Sequence, residues 1–151
     1  MNFADRSPRP SRQPDSRTPS PGCGGRPREG FNKFSEAELV FLDPDNGVAT
    51  KRGKKYWRSS VKYVFEDEVT EWLKRGKSVV LYQHQQRRNL IEQVTEQQKI
   101  LATGRACHAL SFHRRAVRIY YVVPADDHTS RIAERLTCFL AGAWGEHFLR
   151  R

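Results

Sequence analysis

The chain has 151 residues, with 27 Lys and Arg against 17 Asp and Glu and a formal net charge of +10. That length is enough for one domain and hardly for two, and no apolar run approaches the roughly 20 residues of a membrane-spanning helix. Cys23, Cys107 and Cys138 are odd in number and lack any Cys-x-x-Cys or Cys/His ligand spacing, which argues against a disulfide scaffold or zinc site and predicts reduced thiols in a cytoplasmic protein, with Cys107 and Cys138 packed inside.

Residues 1–34 hold six of the eight prolines, with Arg, Ser and Gly scattered between them. No apolar period of 2 or 3.6 residues runs through them, so burial cannot offset the entropy of ordering them, and a disordered tail is expected. Its Arg-Ser-Pro composition suits a solvated arm or a phosphorylated, RNA-touching one, and it has no apolar segment of the secretory-signal kind. A single α/β domain is expected over 35–151. It must carry most of the cationic excess, which favours a polyanionic partner such as nucleic acid or a nucleotide.

Residues 39–43, beginning Leu39-Val-Phe-Leu42, read as a short strand apolar on both faces, the pattern of a central parallel strand. Residues 44–59 read as loop. Ser59 or Ser60 then caps a helix over 61–75, with Val61, Val64, Phe65, Val69, Trp72 and Leu73 on one face and Gly76 as its stop. "SVVLYQH" (78–84) is the second strand. Asn89 caps a second helix with Leu90, Ile91, Val94 and Leu101 inward, ended by Gly104. "ACHALSF" (106–112) and "VRIYYVV" (117–123) lie close enough to form an antiparallel hairpin over 106–123. A last helix, capped by Asp126 or Asp127, is expected to bury Ile132, Leu136, Phe139, Leu140 and Ala143, with Trp72, Trp144 and Phe148 as packing anchors. The order is β-α-β-α-β-β-α.

Strands 39–43 and 78–84, joined through a helix, are expected to run parallel by a right-handed crossover. The loops after their C-terminal ends then share one edge, where open α/β sheets bind ligands. Asp43, Asp45 and Asn46 leave the first strand there, and Gln83 and His84 leave the second, so residues some forty apart become neighbours by topology. Asp, Pro, Asn and Gly also make ordinary turns. In a functional reading Asp43 and Asp45 hold Mg²⁺ or Mn²⁺, with His84 as further ligand or general base. Gln83 would read an amide or base edge, and Arg87, near a helix N-terminus, would meet an anion. Lys54, Lys55, Arg58 and Lys62 surround Tyr56 and Trp57, a pattern that lets cations neutralise phosphates while a base stacks on a ring.

A strand ending in Asp43-Pro44, followed by helix, strand, helix and hairpin, is similar to the second half of a class I S-adenosylmethionine-dependent methyltransferase. Asp43 and Pro44 match the first two positions of the Asp/Asn-Pro-Pro-aromatic motif of amino-methylating members, while Asp45 and Asn46 replace the second proline and the aromatic. "LVFLDPDNG", "SSVKYVF" and "VVLYQHQQR" together resemble a family of uncharacterised bacterial and phage proteins, over about 38–148. The resemblance implies a partial Rossmann-like, methyltransferase-like sheet with Asp43 accepting from a substrate amine. It implies S-adenosylmethionine as cofactor, although the half carrying the glycine-rich loop is missing, so a truncated domain inactive alone is expected. A strand 39–43 without that half would expose a sheet edge for self-association. Two other readings remain: a metal-dependent hydrolase or nuclease using Asp43, Asp45 and His84, and a non-enzymatic basic module binding nucleic acid.

Overall fold

A computed structural model describes residues 33–49, 62–102 and 104–151. The fold is mixed α/β: an open five-stranded sheet, with helices against it. The strands are β1 (Leu39–Leu42), β2 (Ser78–His84), β3 (His108–Arg114), β4 (Ala116–Val123) and β5 (Phe148–Arg150). The helices are α1 (Glu66–Lys74), α2 (Leu90–Ala102) and α3 (Thr129–Ala141). The strand order is β1-β2-β4-β3-β5. β1 and β2 are parallel, with Leu42 opposite Leu81, and each remaining neighbouring pair is antiparallel. No helix among the described residues is long and apolar enough to cross a membrane.

α1 starts later than the apolar spacing predicts. Val64 is spent on an isolated parallel bridge to Val48, and Phe65 is the residue before the helix, its N–H donating to the Glu68 carboxylate at 2.9 Å. Glu66, Asp67 and Glu68 then oppose the positive end of the dipole. Gly76, at φ +72°, ends the turn with its N–H on the Leu73 carbonyl. The proposed Ser59 or Ser60 cap lies outside the described residues, as does the tail except for its last two residues. Phe34 belongs to the fold, its ring edge-on to Trp72 at 6.4 Å.

α2 follows its expected start. The Asn89 side-chain oxygen accepts from the N–H groups of Ile91 and Glu92 at 2.8 and 3.3 Å. Val94 and Leu101 are buried as expected, but Ile91 is 61% exposed, and Gln93 and Gln97 occupy the inner face instead. β3 starts two residues later than expected, and both hairpin strands run closer to the turn, which is Arg115 alone, at φ +68°.

One face of the sheet carries Val40, Val79, Leu81, Ala109, Ile119, Tyr121 and Val123, packed with Val69, Trp72 and Leu73 of α1 and Val94 and Leu101 of α2. Each fully buried aliphatic side chain there contributes roughly 1.5–3 kcal/mol. α3 lies over the opposite face. At one end Ser78 Oγ meets His128 Nδ1 at 2.9 Å and Arg131 pairs with Glu38; at the other, Phe139 meets Phe148 at 5.1 Å. Val122 and Leu110 are buried on this face, but no residue of α3 itself is. Ile132, Leu136 and Leu140 are half-buried and Phe139 and Ala143 exposed, which corrects the expected buried stripe. Asp126 caps nothing: it sits in the turn Asp126–His128 and takes two hydrogen bonds from Arg105 at 2.8 and 3.2 Å, which hold its carboxyl below the usual range. Trp144 is 59% exposed and so is not an anchor, and Cys138 is exposed while Cys107 is half-buried. β5 adds a strand to the expected order by pairing with β3, with Phe112 opposite Phe148.

Candidate functional site

The parallel register fixes where Asp43 leaves the sheet. Leu42 pairs with Leu81, so one step further along β1 is level with Tyr82 of β2. Side chains alternate along a strand, which puts Asp43, Tyr82 and His84 on the face opposite the helix-covered core. The antiparallel pairing continues those rows onto β4 and β3: Tyr82 faces Tyr120, and His84 faces Arg118, which faces Phe112. Tyr82 and His84 join through a hydroxyl–Nε2 hydrogen bond of 3.0 Å, and the Tyr82 and Tyr120 ring centroids are 5.4 Å apart. Burial pushes the Tyr120 hydroxyl pKa up, the charges of Tyr82 and Asp43 add to that, and Arg118 opposes it. An acid, two phenols, an imidazole and a guanidinium therefore share one patch at the C-terminal edge of β1 and β2.

Other expected site residues lie elsewhere. Asp45 is exposed in the turn and faces Lys62, 3.9 Å away. Asn46 is exposed, its backbone N–H on the Lys62 carbonyl at 2.9 Å. Gln83, expected beside Asp43, points to the opposite face because it falls on the other parity of β2. It is 3% exposed and packs under Gly47, where a Cβ would come within 2.5 Å of its amide; Gly47 itself has φ +77°. Among the described residues neither amide atom of Gln83 has a hydrogen-bond partner. Arg87 is exposed, while the neighbouring Arg88 is paired with Glu96. Lys54, Lys55, Tyr56, Trp57 and Arg58 lie outside the described residues.

Among the described residues no group of three or more His, Cys, Asp and Glu side chains is placed to hold a metal ion. Asp43, Asp45 and His84 thus do not assemble the ligand set a metal-dependent hydrolase needs. Nor do the described residues fit S-adenosylmethionine: no strand passes through a glycine-rich turn directly into a helix. β2 reaches α2 through Gln85–Asn89, and the Asp43–Gly47 turn contains one glycine. Tyr82, Tyr120, Arg118 and Phe112 were not singled out from the sequence. Parity could have found them, since Tyr82 shares a face with His84, and Tyr120 with Arg118. Comparison with protein-family models, curated proteins and solved structures found no match.

Proposed function

We infer that this domain recognises a nucleotide-type ligand, a flat amine-bearing ring with phosphate attached, at the C-terminal edge of β1 and β2. The observation carrying the reading is the placement of Asp43 beside the Tyr82–Tyr120 pair, with His84 and Arg118 in the next row. A base stacks on the phenol rings, its exocyclic amine donates to the Asp43 carboxylate, and its phosphate meets Arg118 and the exposed Arg114 and Arg115 of the hairpin tip. The resemblance to the second half of methyltransferases supports the same role for Asp43 toward a substrate amine. Asp43 acts on that acceptor side alone, because the described residues do not accommodate the cofactor.

Calorimetric titration tests this with three mononucleotides. Adenosine and cytidine monophosphate carry the amine and uridine monophosphate does not, so the first two should bind about tenfold or more tightly than the third. Asp43→Asn should erase that preference in a protein that still folds. Equal affinity for all three, or none for any, refutes the reading.

A further inference from the structure

Beside the Asp43 patch, and sharing Tyr120 with it, lies a hollow of about 310 Å³ lined by Phe112, Tyr120, Phe139, Trp144 and Phe148. Every lining side chain is aromatic. β3, β4 and β5 supply the floor, and the end of α3 with the turn after it supplies the wall. The rings meet tilted or edge-on: Phe112 and Phe148 at 5.0 Å, Tyr120 and Phe148 at 6.1 Å, Phe139 and Phe148 at 5.1 Å. With Tyr82 on the far side of Tyr120, a continuous aromatic band crosses the sheet from β2 to α3. Phe139 is 40% and Trp144 59% exposed, so the hollow is open from outside. Arg118 stands in the row next to Tyr120, as the cross-strand neighbour of both His84 and Phe112.

We propose that this hollow is a second stacking subsite, and that the ligand is therefore single-stranded nucleic acid rather than a lone nucleotide. One base lies on Tyr82 and Tyr120 beside Asp43, the next enters the hollow, and Arg118 meets the phosphate linking them. The proposal rests on the nucleotide reading and adds the polymer to it. Charge selects this occupant. A second copy seated here would bring Arg118 and the exposed Arg114 and Arg115 of the hairpin tip against their own counterparts. A phosphate backbone is drawn to them, and its unpaired bases present flat faces to the rings.

The test is fluorescence anisotropy with a labelled single strand of about ten nucleotides, beside adenosine monophosphate calorimetry and sedimentation of the same protein. The wild type should bind the strand about tenfold or more tightly than the mononucleotide, with affinity falling as salt rises. Trp144→Ala and Phe139→Ala, both exposed positions, should each weaken strand binding about tenfold and leave mononucleotide affinity unchanged. Equal affinity for strand and mononucleotide, or a folded Trp144→Ala variant that binds the strand as wild type does, overturns the proposal while the Asp43 reading stands. Loss of a dimer in Trp144→Ala with strand binding intact overturns it too, and assigns the hollow to a second copy. No mononucleotide binding at all removes the nucleotide reading, and this subsite with it.

Discussion

On one face of the sheet Val79, Leu81, Ile119, Tyr121 and Val123 are fully buried beneath α1 and α2. One residue along the same strands, Tyr82, Arg118 and Tyr120 are half-exposed, and Phe41 on β1 is 57% exposed. Adjacent residues of one strand thus serve different ends. The covered face holds the aliphatic side chains that stabilise the domain. The other keeps its larger rings and charges within reach of solvent, because α3 crosses it without burying any residue of its own. Stability and recognition are separated by parity along β2 and β4, so a substitution should affect one and spare the other.

The sharpest test sets neighbours against each other. Leu81→Ala leaves a cavity in the covered face and should cost about 3 kcal/mol in urea unfolding. Tyr82→Ala should cost less than about 1 kcal/mol yet weaken binding of all three mononucleotides about tenfold. Similar destabilisation by both would mean that the open face belongs to the core. A second test concerns Gly47, where the turn after β1 packs against Gln83 on the covered side. Gly47→Ala strains a backbone at φ +77° and drives a methyl into the Gln83 amide, so a loss of about 2 kcal/mol is expected. Adding Gln83→Ala should recover part of it by removing the clash but not the strain; no recovery would mean that backbone conformation alone sets the cost.

The smallest effect is a pH dependence. His108 lies on the α3 side, where burial lowers its pKa and Arg150, whose guanidinium lies 3.0 Å from His108 Nδ1, lowers it further. The unfolded chain takes up this proton first. The contribution is therefore intact above the ordinary imidazole range and lost as pH falls through that range toward the lowered folded value. Melting temperature should drop slightly between about pH 7 and about pH 5, and His108→Gln should flatten part of that slope. An identical slope in the variant would assign the loss to other groups.

Legibility in the sequence followed signal length. β2 and the start of α2 stood out because seven residues of "SVVLYQH" and one Asn give long or specific patterns. Val64 and Phe65 misled, since apolar residues at helical spacing can equally form a bridge and a helix entry. β5 has three residues, too few to show a period, and it exists through its pairing with β3. Asp43 and His84 were legible because chain order alone sends them to one edge. Tyr82 and Tyr120 were not singled out, because which parity of a strand is covered depends on where the helices settle. Gln83 was misplaced for the same reason.

The position of β4 also sets the order in which this protein can be made. β2 is synthesised early, yet its second edge is closed only by β4, after α2 and β3 have emerged. The β3–β4 hairpin is local and can close quickly around Arg115, whereas the β2–β4 pairing spans a longer loop and forms later. Until residue 123 leaves the ribosome, β2 has β1 as its sheet neighbour among the described strands, and its other edge is open to whatever strand it meets first.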